Sequence, residues 1–110
     1  MKSYLIDEIP SSDMESIREE MDRTAVRSGL EKLYWIEVPE EFLTEEQLLH
    51  KECGPHVFAV ELGLNWVRCE FFVRALNNMK CSCNAYATAR QTHFAVEKTD
   101  RLLEGLGVRT

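Results

Sequence analysis

Five residues of this chain combine a side-chain type and a spacing that could hold a metal ion or carry out sulfur chemistry. They are His50, Cys53 and His56 in one cluster, and Cys81 and Cys83 on either side of Ser82. Thiolates and imidazoles are the usual ligands of tetrahedral zinc, which needs about four donors at roughly 2.0 to 2.3 Å. Cys81, Cys83, Cys53 and His50 make up such a set, and zinc is the cofactor they point to.

Spacing argues against this assignment. Zinc ligands usually pair across two to four intervening residues, whereas a single residue separates Cys81 from Cys83. If the chain from His56 through Cys83 forms a three-strand meander, His56 and the cysteine pair stand two strand spacings apart, roughly 10 Å. They then face opposite sides of the sheet. The alternative is a loop that folds Cys81 and Cys83 back over Cys53.

Redox chemistry is a second use of the triplet. In an extended strand Cys81 and Cys83 project the same way, with Cα atoms near the upper end of the disulfide range. A bond between them is strained and easily reduced, which favours a reversible role. The plainer reading is that both thiols pack as small hydrophobes. Nucleophilic catalysis by Cys53, with His50 or His56 as base, meets an electrostatic objection. Cys53 falls at the C-terminal end of a predicted helix, where partial negative charge opposes a thiolate. The same end favours His50 as a cation. His56 reads as a core histidine on the apolar face of a strand, and His93 has no obvious partner.

Other catalytic constellations are missing. There is no glycine-rich phosphate loop, dinucleotide fingerprint or nucleophile elbow. The pairs Glu19-Glu20, Glu40-Glu41 and Glu45-Glu46 are sequence neighbours, which diverge by about 100° on a helix and do not face one substrate. The sequence therefore gives no catalytic residue and reads more as a non-enzyme.

A binding face is the competing reading. Trp66, Arg68, Phe72 and Arg74 lie on one side of an alternating strand and combine the aromatic and guanidinium groups that dominate interface hot spots. The partner is then a protein or a second copy of this chain. If a helix instead covers that face, the arginines reach past it and pack their stems on the rings. A net charge of −6 counts against nucleic acid. The apolar stretch before Asp7 and Glu8 is too short for a signal peptide, and no run approaches the roughly 18 apolar residues of a membrane helix. The expectation is a cytoplasmic chain with reduced thiols. Its function reads first as an interaction or regulatory domain, and second as a thiolate metal or redox protein using Cys81 and Cys83.

The 110 residues, 45% of them hydrophobic, suit a single α/β domain over 1–110 with one core. Tyr4 to Ile9 reads as a strand. Ser12 with Glu15 forms a capping box for a helix with Met14, Ile17, Met21 and Ala25 on its apolar face, stopped at Gly29. Leu33 to Val38 is a strand rich in aromatic and β-branched residues. Thr44 and Gln47 cap a short helix that ends near Cys53, before Gly54-Pro55.

Two alternating runs around Gly63-Leu64-Asn65 predict a hairpin over His56 to Leu76. Phe58, Val60 and Leu62 share its inner face with Val67, Cys69, Phe71, Val73 and Ala75, and Glu61 stands opposite Arg68. A fifth strand is placed around Lys80 to Ala85. Thr88 and Gln91 cap a last helix that ends before Gly105, with Ala95, Thr99, Leu102, Leu103 and Leu106 on its apolar side. The order β-α-β-α-β-β-(β)-α implies an α+β or mixed α/β sandwich, with a four- to five-stranded mixed sheet and about three helices.

Overall fold

The computed structural model describes residues 2–108. Its centre is the expected hairpin, formed by β4 (His56–Leu62) and β5 (Val67–Ala75). Leu62 pairs with Val67 and Glu61 with Arg68, as the alternation requires. The four-residue connection places the Trp66 indole over Gly63, where a Cβ would come 1.9 Å from the ring. A side chain at position 63 would therefore displace the tryptophan. Extra residues of β5 are taken in opposite Ala59, between the pairs Phe58/Val73 and Val60/Cys69. This irregularity keeps Phe58, Val60 and Leu62 on the face that also holds Val67, Cys69 and Val73.

The sheet grows outward from this hairpin. β3 (Leu33–Glu37) pairs with β4, and the short β2 (Val26–Arg27) pairs with β3. On the other side β1 (Ser3–Ile6) pairs with the first half of β5, and β6 (Ala85–Tyr86) pairs with its second half. The order is β1-β5-β4-β3-β2, with β6 beside β5, and every pairing is antiparallel. The architecture is α+β. The parallel pairing implied by a mixed sheet does not form, because the chain after β1 crosses the hairpin to reach β2 and β3 on its far side.

Helix α1 (Ser11–Thr24) buries Met14, Ile17 and Met21, and α3 (Ala89–Gly105) buries Gln91, Ala95, Thr99 and Leu103. The apolar members join the inner face of the sheet in one core cluster. Two tyrosines fix helix to sheet at polar points. Tyr4 on β1 donates to Asp100 on α3 at 2.6 Å, and Tyr34 on β3 donates to Asp22 on α1. No helix among the described residues is long and apolar enough to cross a membrane.

Several boundaries differ from expectation. Helix α1 has Pro10 rather than Ser12 at its N-cap position, with no side-chain cap, and its first helical bond runs from Met14 N to Pro10 O at 3.0 Å. It ends at Thr24 rather than Gly29, since Val26 and Arg27 are drawn into pairing with Trp35 and Tyr34. The expected strand over Lys80 to Ala85 reduces to β6, and the chain before it is turn and loop.

Both later capping boxes form as the sequence requires, and they are joined. In α2 (Glu45–Leu49) the Thr44 Oγ1 accepts from Gln47 N, while Thr44 N donates to Gln47 Oε1. Thr88 and Gln91 repeat this reciprocal pair at the start of α3. Gln91 Nε2 then donates both to Gln47 Oε1 and to Phe42 O, each at 2.9 Å. The two glutamines are 1% and 0% exposed. Replacing Thr88 by alanine removes one cap and should cost about 1 kcal/mol. Gln91→Ala also strands buried acceptors on Gln47 and Phe42, and about 2 to 4 kcal/mol is expected. Urea unfolding of the two variants checks the order; equal losses would mean that the inter-helix link carries no energy.

Candidate metal centre

The open end of the hairpin, opposite the Gly63 turn, is where the sulfur and imidazole residues meet. Helix α2 ends at Leu49, His50 follows, and a 3-10 turn over Lys51–Cys53 brings Cys53 inward. Gly54 then lets the chain pass closely into β4, since a Cβ there would stand 3.1 Å from Lys51 O and 3.4 Å from His56 Nδ1. His56 opens β4 on its inner face, paired with Ala75.

The chain after β5 is held back over this end by asparagines. Asn77 N donates to Cys53 O at 2.9 Å, and Asn77 Nδ2 to Glu52 O at the same distance. Asn84 acts as an internal brace. Its Nδ2 donates to Asn78 O and Cys81 O, and its Oδ1 accepts from Ala75 N at 2.7 Å. Gln47 Nε2 reaches Cys83 O at 3.3 Å and so connects the loop to the joined caps.

The result is a cluster. Donor atoms of His50, Cys81 and Cys83 all lie within 4.8 Å of one another. Cys53 packs with Cys83 and Cys81 in a small core of its own. His56 Nε2 stands 3.4 Å from Cys83 Sγ. The meander geometry that set His56 and the cysteines on opposite faces is therefore corrected. Because the segment is a loop and not a strand, Cys81 and Cys83 fold over the helix-covered side of the sheet. Of the four residues expected as ligands, His50, Cys81 and Cys83 have converging donor atoms, Cys53 lies outside that 4.8 Å group and packs against the two cysteines, and the four thiols of the chain are free.

The electrostatics divide the cluster. Burial pushes the Cys53 thiol up, with the neighbouring Cys81 adding to the effect. Burial likewise raises Cys83, to about 12. Cys81 moves the other way, because the Cys83 N–H points at its sulfur across 3.5 Å and the Cys83 and Cys53 thiols favour its anion. His50 is raised chiefly by the hydrogen bond from its Nδ1 to Glu46 O at 2.8 Å. A carbonyl oxygen only accepts, so that nitrogen carries the proton and Nε2 is the side left for a ligand. Metal-binding histidines are commonly fixed in this way. His56 is lowered by burial and then by His50, which keeps it neutral beside Cys83.

The fourth cysteine is separate. Cys69 lies in the main core, its thiol raised to about 12 by burial. The stripe expected as a partner face lies elsewhere, on the opposite side of the sheet. Arg68 sits 5.2 Å over the Trp66 ring and pairs with Glu61, and Arg74 sits 5.3 Å over Phe72 and reaches Glu70 at 2.9 Å. Sequence reasoning passed over three contributors to the metal cluster: His56 as a neighbour of Cys83, Asn84 as the brace, and Gln47 as the tie to Cys83 O. Only Asn84 had a local signal, an asparagine in a turn-rich segment.

No protein-family model matches the chain, and neither the characterised proteins nor the solved structures searched gave a significant match.

Cys81 is the partly buried sulfur, whereas Cys53, Cys69 and Cys83 are buried. Brief iodoacetamide treatment of the native, metal-free protein should label Cys81 first, with the others reacting only on denaturation. Asn84→Ala removes three hydrogen bonds, so labelling of Cys83 is expected to rise about tenfold or more. Peptide mapping reads both; prior labelling of Cys53 or Cys83 in the unsubstituted protein would contradict the loop's closure.

Proposed function

We propose that this chain is a zinc-binding domain whose ion is held by Cys53, Cys81, Cys83 and His50. The observation that supports this most directly is the convergence of His50, Cys81 and Cys83 donor atoms within 4.8 Å, with Cys53 packed against the two cysteines. Donors around tetrahedral zinc stand roughly 3.5 to 3.8 Å apart, as bonds of about 2.0 to 2.3 Å require. The cluster needs to contract by about 1 Å, which side-chain rotation supplies.

Three thiolates and one imidazole make a soft set suited to zinc rather than to magnesium or calcium. Four protein ligands close the coordination sphere, which is the pattern of a structural ion rather than one activating water. Around the four, the Glu46 carbonyl orients His50, the Cys83 N–H faces Cys81, and neutral His56 can direct Nε2–H at the Cys83 thiolate. Such outer contacts hold ligands in place and offset thiolate charge. The metal ties the end of α2, the start of β4 and the loop after β5, segments otherwise joined by a few hydrogen bonds. Its role is to fix that loop, and with it the chain that leads into β6 and α3.

Protein purified without chelator under reducing conditions should hold about one zinc per chain. Cobalt substitution should give thiolate charge-transfer absorption. Cys53→Ser, Cys81→Ser, Cys83→Ser and His50→Ala should each lose metal, while Cys69→Ser and His93→Ala keep it. Zinc at a free concentration 100-fold above its dissociation constant should stabilise the fold by about 2.7 kcal/mol. Purified protein that neither contains nor takes up zinc or cobalt would defeat the reading.

The pH dependence has a defined sign. Cys53 and Cys83 have raised pKa values and are thiols near neutrality, so zinc must displace at least their two protons. Apparent affinity should weaken about tenfold per pH unit for each proton released as pH falls. A competition titration with a metal indicator between pH 6 and 8 reads the slope; a flat profile would exclude those thiols as ligands.

A further inference from the structure

The cluster opens to solvent through one of its three sulfurs. Cys53 is 6% and Cys83 1% exposed, whereas Cys81 is only partly buried. Cys83 is also engaged with His56, and its N–H faces the Cys81 sulfur. Cys53 comes from a separate segment and belongs to the small core against which Cys81 packs. The arrangement therefore holds an accessible sulfur, a buried sulfur from another segment beside it, and two further donors that cannot hold zinc alone.

Resting on the zinc-binding reading above, we propose that the centre is a peroxide-sensitive metal-release site in which Cys81 is attacked first and Cys53 resolves it. A metal-bound cysteine is already a thiolate. Its sulfur attacks one oxygen of hydrogen peroxide; the S–O bond forms, the O–O bond breaks, and the departing hydroxide takes a proton to become water. Cys81 is then a sulfenic acid. The Cys53 thiolate attacks that sulfur, the S–S bond forms, the S–O bond breaks, and a second hydroxide leaves as water. In sum, two thiolates, one peroxide and two protons give one disulfide and two waters, with sulfur oxidised and peroxide reduced by two electrons.

Zinc loses two of its four ligands and departs from the His50 and Cys83 that remain. Cys83 is the poorer resolving partner, since residues two apart in sequence bridge only with strain.

The test treats zinc-loaded protein with one to a few equivalents of hydrogen peroxide beside a chromogenic zinc indicator, followed by non-reducing peptide mapping. The expected result is one zinc released per disulfide, a Cys53–Cys81 linked peptide, and recovery of zinc binding after a phosphine reductant. A Cys81→His variant, compared per zinc ion that it retains at saturating zinc, should release that zinc at least tenfold more slowly. Zinc retained through peroxide treatment, a Cys81–Cys83 bridge, or unchanged release from the variant would overturn the inference while leaving the metal site standing. Protein that never takes up zinc would sink both.

Discussion

The buried amide pair of Gln47 and Gln91 is the interaction on which the rest of this end of the molecule depends. Each glutamine completes a capping box on its own helix, and the two side chains then bond to each other. An isolated capping box sets where a helix begins; two that share an amide also set where the helices lie relative to one another. Gln91 takes in Phe42 O, and Arg90 beside it donates to Glu41 O at 2.7 Å with its guanidinium 4.6 Å over the Phe42 ring. Gln47 takes in Cys83 O. Without the pair, Phe42 O and Cys83 O would lose these donors, at a cost of about 1 to 3 kcal/mol for each group left buried and unpaired. With it, among the described residues no buried side-chain nitrogen or oxygen lacks a partner.

This constraint explains how a loop with little regular structure holds sulfur atoms in register. The segment between β5 and β6 has no ladder of its own, so its carbonyls and N–H groups are satisfied by Asn77, Asn78 and Asn84, by Cys53 O and by Gln47. Each bond is worth on the order of 1 kcal/mol net. They act together because all of them run to elements fixed by the hairpin or the joined caps. The opposite face of the sheet is organised differently. There, arginine, glutamate and aromatic groups satisfy one another within the face, so its charge pattern is internally balanced.

Much of the fold was legible because its signals are local. The alternation in β4 and β5 gave the register down to Glu61 opposite Arg68, and Thr44/Gln47 and Thr88/Gln91 marked two helix starts. The end of α1 was not legible, because Val26 and Arg27 become a strand only through pairing with β3, which lies beyond a turn. The fifth strand failed for a related reason. Residues Lys80 to Cys83 alternate weakly, and the asparagines on either side bind backbone groups that a ladder would otherwise use. The site was legible as a list of residue types and hidden as a geometry. Its sulfur and imidazole groups come from two segments nearly thirty positions apart by the numbering, and the spacing rule that argued against a metal describes ligand pairs held by short local turns. Here the backbone bonds of Asn84 and Asn77 supply that closeness from outside the ligand motif.

The protonation pattern shows why three sulfurs and two imidazoles can share this small space before a metal arrives. Burial keeps Cys53 and Cys83 as neutral thiols, and His56 is neutral as well. Only Cys81 and His50 are drawn toward charge, in opposite directions and next to each other. The group drawn toward positive charge thus stands beside the one drawn toward negative charge, and the cluster avoids the repulsion that accumulated thiolates would create. The Cys83 N–H faces the Cys81 sulfur and the neutral His56 ring stands 3.4 Å from Cys83 Sγ, so the contacts that brace the loop also offset the charge drawn onto its sulfurs.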